Sequence, residues 1–301
     1  MKTAGFTFIR NAVINDYPVV EAILPICDYF VVAVGKSDDE TLELVRNIGD
    51  PRIHILETVW DESLREGGRV LAEETNKAFD AIPPEYDWCF YIQGDEVVHE
   101  NDLPAIRAGM ERWLDDPATE GILFNYRHFY GSYDYIGAGR RWYRREVRII
   151  RNDKTIRSYR DAQGFRRYPG SGTNAGAEKH AIGETLQVRL LDAHIHHYGW
   201  VKHPEAQQRK QWNLNRLWHS DEKVQAMVGN AAQYRYDGSE PLERYTGTHP
   251  AVMLPRIEAV NWKFEGDPSA ARRTWKDRLS RTLERYTGWR FGEERNYVLL
   301  K

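Results

Sequence analysis

Short apolar runs alternate with amphipathic stretches along the N-terminal third of the chain. Four of the apolar runs have the length of buried β-strands, and they lie at 6–9, 29–34, 52–56 and 88–92. Between these runs, apolar residues recur at the spacing of one helix face, over 17–27, 41–48 and 69–79. Strands that alternate with helices predict an α/β fold, in which a mostly parallel sheet is flanked by helices.

The rest of the chain is predicted to contain further strands, followed by two helices. Further strands are predicted at 121–124, 146–150 and 187–200. A polar helix is predicted over 204–218, with basic residues on its surface: Lys202, Arg209, Lys210 and Arg216. The segment 270–286 is predicted to be an amphipathic helix, which either packs on the preceding domain or docks at an anionic membrane surface. We therefore expect a first domain over 1–215 and a mainly helical C-terminal extension over 216–301.

The composition is that of a globular protein with a nearly neutral charge. The 301 residues carry a formal net charge of −3, which argues against general nucleic-acid binding, because that function needs a strong basic excess. No apolar run approaches the ~20 residues of a membrane span, and the N-terminal segment lacks the apolar core of a signal peptide. Cys27 and Cys89 both lie in apolar runs, which predicts reduced thiols in the core. Together these features predict a cytoplasmic protein.

Polar residues follow three of the predicted parallel strands. Arg10 and Asn11 follow the first strand, Asp38 and Asp39 follow the second, and Gln93-Gly-Asp-Glu96 follows the fourth. Open α/β sheets bind ligands at this edge, and adjacent carboxylates there suit a hard divalent cation that carries a diphosphate. Taken singly, Asn11, Asp38 and Asp39 are more typical of loops and helix caps than of a ligand site. Their coincidence at one edge favours a nucleotide site.

Three histidines lie close together in the predicted strand at 187–200. Along a strand His194 and His196 share one face, whereas His197 points to the opposite face. A zinc hydrolase could use the pair formed by His194 and His196, so metal-dependent hydrolysis is an alternative function. No second histidine pair with helical metal spacing occurs elsewhere in the sequence.

Four segments in order resemble the family 2 glycosyltransferases of the GT-A fold. They are 8–12, 34–41, 68–69 with Asn76, and 93–96, and the resemblance covers roughly residues 6 to 200. It implies a catalytic domain that transfers a sugar, with inversion, from a nucleotide-diphosphate-sugar to an acceptor hydroxyl, with Mn²⁺ or Mg²⁺ as cofactor. A UDP-sugar is the commonest donor of that family. The acceptor stays open between a carbohydrate, a lipid-linked and a protein acceptor.

The resemblance also implies roles for individual residues. The donor would be bound by Arg10, Asn11, Asp38, Asp39, Arg69, Gln93 and Asp95. The metal would be held by Asp95 and by His197, which stands in a "His-Tyr-Gly" element similar to that of the family. The chain departs from the family pattern at two positions. Gln93 replaces the first aspartate of the metal motif, and Gly35 stands where an aspartate usually follows the second strand.

The resemblance places the catalytic base at Asp161. In related transferases a strand similar to 147–150 is followed within about ten residues by an acid that deprotonates the acceptor, and Asp161 lies at that distance. The alternative is that Asp161 pairs with Arg160, Arg166 or Arg167 in a surface cluster. Glu178 is the next candidate for the base.

Two further segments have open interpretations. The segment 125–139 is rich in tyrosine and could either stack against an acceptor or form an aromatic hairpin core. The segment 165–180 is rich in glycine and predicts a loop that closes over the donor.

Gln93 in place of an acid also leaves open a second alternative function, that of a non-catalytic protein that only binds a sugar nucleotide. A nucleotidyltransferase is disfavoured, because 10–12 is not a glycine-rich basic loop.

Overall fold

The computed structural model describes residues 1–12, 18–170, 183–229, 231–236 and 240–264, together with 282, 284, 286, 290, 293 and 295–301. Two predicted elements are thereby affected. The closing helix over 270–286 lies almost wholly outside the described residues, and so does most of the predicted loop over 165–180, including Glu178.

Five strands of the first half coincide with the predicted apolar runs at 6–9, 29–34, 52–56, 88–92 and 121–124, and two more were not predicted. They are β1 (Thr3–Ile9), β2 (Tyr29–Gly35), β3 (Ile53–Thr58), β4 (Trp88–Tyr91), β5 (Glu96–Val98), β6 (Gly121–Tyr130) and β7 (Ser132–Gly137). Those of the second half are β8 (Arg145–Arg151), β9 (Ile156–Tyr159), β10 (Gly164–Arg167), β11 (Glu184–Trp200), β12 (Leu242–Arg244) and β13 (Tyr297–Leu299).

All of these strands belong to one sheet, whose main order is β3-β2-β1-β4-β8-β6-β11-β10-β9. The first four strands are parallel, and β6 and β11 are also parallel to each other. Strand β8 runs antiparallel to both of its neighbours and joins these two parallel groups. The α/β fold predicted from the sequence is therefore confirmed.

The helices lie on both faces of the sheet. They are α1 (Val19–Ile23), α2 (Thr41–Arg46), α3 (Arg69–Asp80), α4 (Leu103–Arg112), α5 (Pro204–Arg216), α6 (Asp221–Val228) and α7 (Leu254–Glu258). Helix α1 is shorter than the predicted helix over 17–27 and continues as a 3-10 turn over Leu24–Ile26. Pro25 explains this difference, because a proline cannot donate the backbone hydrogen bond that an α-helix needs there.

Two apolar clusters cover the two faces of the sheet. One contains Phe30, Phe90 and Phe124, and α1 and α4 pack against it. The other contains Phe6 and Tyr91, and α3 packs against that side through Phe79. Because strands covered on both faces bury successive residues, they appear in the sequence as continuous apolar runs.

The described residues beyond 216 contribute to the same sheet as the first domain. Strand β12 pairs with β7, and β13 pairs with β11. Helices α6 and α7 also lie in this segment, and the domain boundary at 215 stays a prediction. Within the parts of the chain that the structure describes, no helix is long and apolar enough to cross a membrane.

Candidate functional site

A cleft of about 340 Å³ opens beside the carboxyl ends of β1 and β2. One wall carries three of the predicted donor-binding residues, Arg10, Asn11 and Asp38. Residues of α5 and of the segment before α3 complete the lining, and they include Arg65, Lys210, Asn213, Leu214, Arg216 and Leu217. The cleft thus joins the strand-end loops to a helix that sequence reasoning had placed outside the site.

The two strand-end loops are interlocked by Asn11. Its backbone N–H donates to Ser37 Oγ at 3.0 Å, and its side-chain oxygen accepts from the backbone N–H of Asp38 at 2.9 Å. Asn11 adopts a positive φ of 50°, a conformation that asparagine tolerates better than most residues. Arg10 donates from Nε to the Lys36 carbonyl at 3.1 Å and stacks over Trp60. This geometry holds Arg10 and Asn11 in place before any ligand binds.

Asp38 and Asp39 have different surroundings. Asp38 is exposed and lines the cleft. The Asp39 carboxylate accepts hydrogen bonds from the backbone N–H and the hydroxyl of Thr41, and Thr41 Oγ1 in turn accepts from the Ala12 N–H at 2.7 Å. Asp39 therefore stabilises the start of α2 and the loop after β1, whereas Asp38 is placed to meet a ligand.

The two acids of the Gln93–Glu96 motif have different surroundings, since Asp95 lies in the turn before β5 and Glu96 is the first residue of that strand. Glu96 is fully buried and forms a two-point ion pair with Arg148, at 2.9 and 2.8 Å. Tyr126 donates a third hydrogen bond to it at 2.7 Å. The two adjacent carboxylates therefore do not share one site: Glu96 is part of the core, and Asp95 is the acid to which the resemblance assigns the metal.

Asp95 lies between two cationic or potentially cationic groups. Lys210 Nζ donates to Asp95 Oδ2 at 2.8 Å, and His197 Nε2 lies 3.6 Å from the same oxygen. Burial acts to raise the pKa of Asp95, but the charges of Lys210 and His197 outweigh burial and hold that pKa well below its usual value. Asp95 is therefore ionised at neutral pH.

The structure also corrects the sequence interpretation of Lys210 and of buried Lys202, which are not solvent-facing residues of the helix surface.

His197 is oriented by a neighbouring histidine. His128 Nε2 lies 2.8 Å from the Tyr143 carbonyl, which can only accept, so this nitrogen carries the proton. Burial lowers the pKa of His128 well below its usual value and keeps it neutral, so His128 Nδ1 accepts from His197 Nδ1 at 3.0 Å. His197 Nε2 is consequently left facing Asp95. Metal-binding histidines are commonly held in this way, with the second ring nitrogen hydrogen-bonded.

Gly199 allows this close arrangement. A Cβ atom at this position would lie 2.5 Å from Asp95 Oδ2 and 2.7 Å from His197 Nε2, which is closer than non-bonded atoms approach. A larger residue in place of the glycine of the "His-Tyr-Gly" element would therefore displace the side chain of Asp95 or of His197.

The residues present fit a divalent cation in part. A carboxylate oxygen and an imidazole nitrogen are ligands that Mn²⁺ accepts, and Asp95 and His197 present one of each. Among the described residues no group of three His, Cys, Asp or Glu side chains is placed to hold a metal. An ion at this pair would therefore take its other ligands from a bound diphosphate and from water.

Asp161 lies in a constrained turn between β9 and β10. Its neighbours Arg160 and Ala162 both have positive φ values, 53° and 62°, which are costly for residues other than glycine. Burial raises the pKa of Asp161, opposed by hydrogen bonds from backbone N–H groups and by Arg160. A Cβ atom on Gly68 would lie 2.9 Å from the Asp161 Cβ, so the turn packs directly against the start of α3.

Of the three arginines in the predicted alternative for Asp161, the charge of Arg160 acts to lower the pKa of Asp161, whereas Arg166 and Arg167 have other partners. Arg167 pairs with Glu120 at 2.6 Å and with Asp153 at 3.2 Å. Arg166 donates to the Gly183 carbonyl at 2.9 Å. These two arginines are therefore engaged with other partners.

Gln93 connects the acidic loop to the turn of Asp161. Its side-chain N–H donates to the Ala162 carbonyl at 3.1 Å, one residue beyond Asp161. Arg69, the remaining predicted donor-binding residue, is half-buried at the first position of α3, next to Gly68. The structure thus brings the Asp95 loop and the Asp161 turn together, with Gln93 as the link.

The histidine pair of the hydrolase alternative lies on the other face of β11, as strand alternation predicts. His196 is fully buried, stacks on Phe129 and lies 3.3 Å from the Arg127 guanidinium. Burial, and then the charge of Arg127, lower the pKa of His196 well below its usual value. A guanidinium beside the ring opposes binding of a second cation, so these contacts do not favour a zinc site.

The tyrosine-rich segment 125–139 forms the hairpin of β6 and β7, which decides between its two interpretations. Phe129, Tyr130 and Tyr133 are buried in it and pack as core residues.

Sequence reasoning missed Lys210, Arg65 and His128 as residues of the site. No local signal distinguished them, because each reaches the site from a distant part of the chain.

The comparisons with known proteins return solved structures only. No protein-family model matches the chain, and no curated protein matches it in sequence. The solved structures that are similar to part of this chain include two named proteins. The first is TarS (fragment 1-349) from S. aureus, with 11% identity and a TM-score of 0.39 over 76% of this chain and 69% of that chain.

The second is glucosyl-3-phosphoglycerate synthase from Mycobacterium tuberculosis, solved with Mn²⁺, uridine diphosphate and glucosyl-3-phosphoglycerate. It has 16% identity and a TM-score of 0.28, over 43% of this chain and 44% of the synthase. The same enzyme was also solved with Mg²⁺ and uridine diphosphate. This chain therefore aligns with less than half of the synthase, and these values are too low to transfer site residues.

Proposed function

We propose that this protein is a glycosyltransferase, which transfers a sugar from a nucleotide-diphosphate-sugar to an acceptor hydroxyl with inversion and with Mn²⁺ or Mg²⁺. The observation that carries the proposal is one continuous site. Arg10, Asn11 and Asp38 line a cleft whose opposite wall contains Lys210, and Lys210 is bonded to Asp95 beside His197. A nucleoside diphosphate needs this sequence of groups, from polar residues for the base to cationic groups for the phosphates.

In the proposed complex the nucleoside occupies the 340 Å³ cleft. Asp38 and the loop of Arg10 and Asn11 would contact the base and ribose, and Arg69 at the start of α3 would approach the phosphates. The donor is proposed to be a UDP-sugar, as in the resembled family and in the synthase complexes, although the base contacts of this chain differ from the family at Gly35.

Asp95 and His197 would hold the divalent cation together with oxygens of the donor diphosphate. When bound, such a cation offsets the negative charge that develops on the departing diphosphate. The protein contributes an ionised carboxylate and a histidine whose Nε2 is oriented by His128. Gly199 leaves room for both side chains.

Asp161 would act as the base. Its carboxylate takes the proton of the acceptor hydroxyl while that oxygen attacks the anomeric carbon from the side opposite the diphosphate. The new carbon–oxygen bond forms as the bond to the diphosphate breaks, and the nucleoside diphosphate leaves with the electron pair. A raised pKa makes Asp161 a stronger base than an exposed aspartate.

The contact made by Gln93 argues against the non-catalytic alternative. If Gln93 were only a remnant of a metal ligand, no further contact would be expected of it. Its side-chain amide instead donates a hydrogen bond to the turn that carries Asp161. Gln93 therefore has a positioning function in the proposed enzyme.

The proposed acceptor remains a carbohydrate, a lipid-linked or a protein hydroxyl. The proposed location is the cytoplasm, where the buried thiols Cys27 and Cys89 stay reduced.

Thermal unfolding with a panel of nucleotide-sugars tests the proposal. A ligand that binds only the folded protein raises the melting temperature by mass action. We expect at least one nucleotide-sugar to raise it in Mn²⁺ and to have a smaller effect in EDTA. If no nucleoside diphosphate or nucleotide-sugar binds in Mn²⁺ or Mg²⁺, the proposed function is wrong.

A further inference from the structure

Lys210 occupies the position at which a cation would approach Asp95. Its ammonium lies 2.8 Å from Asp95 Oδ2, the same oxygen that faces His197 Nε2. The lysine side chain is only 20% exposed and that of Asp95 only 21%, so water screens this ion pair incompletely. An additional cation on that oxygen would be repelled by the ammonium.

Lys210 also borders the cleft proposed for the nucleotide. The ammonium has three N–H donors, of which one bonds Asp95 and another bonds the Gly199 carbonyl at 2.9 Å. Its flexible four-carbon stem allows the charged end to move while the helix stays in place. A phosphate oxygen in the cleft would therefore lie within reach of Lys210.

We infer that Lys210 competes with the divalent cation for Asp95 and transfers to the donor diphosphate when cation and nucleotide bind together. The inference rests on the proposed function. It adds Lys210 as a positioning residue, a role that the proposed function does not assign. Without nucleotide, Lys210 neutralises Asp95 and keeps the cation weakly bound. With nucleotide, the diphosphate provides the negative charge that Lys210 needs, and Asp95 becomes available to the cation.

This exchange has two consequences that can be measured without any acceptor. The first is that Mn²⁺ alone binds weakly to the wild-type protein and more tightly when Lys210 loses its charge. The second is that removal of the charge weakens binding of uridine diphosphate in Mn²⁺. The two affinities change in opposite directions, whereas a merely structural effect of Lys210 would weaken both.

The experiment measures Mn²⁺ binding alone, and uridine diphosphate binding in saturating Mn²⁺, by titration calorimetry. We expect Lys210→Met to tighten binding of Mn²⁺ alone by roughly tenfold and to weaken binding of uridine diphosphate by roughly tenfold, the effect of one hydrogen bond to a charged group. Arg209→Met is the matched control, because Arg209 is the exposed neighbour on the same helix and carries the same charge. It should leave both affinities unchanged.

Lys210→Gln gives a second variant, which retains a hydrogen-bond donor for Asp95 and the Gly199 carbonyl without the charge. If Lys210→Met fails to fold, Lys210→Gln should show the same opposite changes. Affinities that stay at wild-type values in the folded Lys210 variants, or that both fall, would overturn the inference while leaving the proposed function intact. Failure of the wild-type protein to bind uridine diphosphate, other nucleoside diphosphates or nucleotide-sugars in Mn²⁺ or Mg²⁺ would instead refute the proposed function.

Discussion

Replacement of Glu146 by glutamine should make the protein more stable at alkaline pH and change little at acid pH. Glu146 is buried on β8 and accepts hydrogen bonds from Asn296 at 3.2 Å and from Gln163 at 3.4 Å. Burial raises its pKa from 4.5 to about 7, opposed by the charge of Arg148. The folded protein therefore holds this proton more tightly than the unfolded chain.

The sign of the effect follows from proton linkage. Below pH 4.5 both states carry the proton, and Glu146 has no unfavourable effect. As the pH rises from 4.5 to about 7, the unfolded chain releases the proton first, so the free energy of unfolding falls until the folded state also ionises. A pKa change of this size corresponds to about 3 kcal/mol of lost stability above pH 7. Glutamine resembles the protonated carboxyl in shape and remains uncharged.

Urea denaturation at pH 5 and at pH 8 measures the difference directly. We expect the free energy of unfolding of Glu146→Gln to exceed that of the wild type by up to about 3 kcal/mol at pH 8. At pH 5 the difference should be much smaller. The control is Glu111→Gln on the exposed part of α4, which should have the same small effect at both pH values. An equal difference between Glu146→Gln and wild type at both pH values would refute the reasoning.

Three further predictions concern the proposed site. Asp95→Asn should weaken nucleoside-diphosphate binding in Mn²⁺ without loss of the fold, and equal calorimetric affinities of the wild type in EDTA and in Mn²⁺ would show that the metal assignment is wrong. Asp161→Asn should lower the transfer rate by about 10²–10⁴ while the donor still binds, and the wild-type rate should fall on acidification through a pKa above that of an exposed aspartate. His197→Ala should impair Mn²⁺-dependent donor binding, whereas His194→Ala should act mainly through stability. Stoichiometric zinc in the purified protein, removed by His194→Ala but not by His197→Ala, would favour the hydrolase instead.

The sequence by itself was sufficient to predict the type of fold. Strands buried on both faces need apolar residues at successive positions, and β2 and β4 show this pattern without any structural information. The same local logic placed polar residues at the strand ends, because the carboxyl ends of parallel strands meet at one edge. It also separated His197 from His194 and His196, since alternation along a strand is a local property.

Tertiary structure alone decided which of these residues share a site. That Glu96 belongs to the core and not to the strand-end loop depended on Arg148, which lies 52 positions away in sequence and pairs with it. Lys210 reaches Asp95 across 115 positions, and His128 reaches His197 across 69. Such contacts depend on how distant segments cross the sheet, and the local pattern of a helix or strand is the same whichever partner it meets. The charge of Asp95 and the orientation of His197 therefore follow from the folded chain and not from the motifs that contain them.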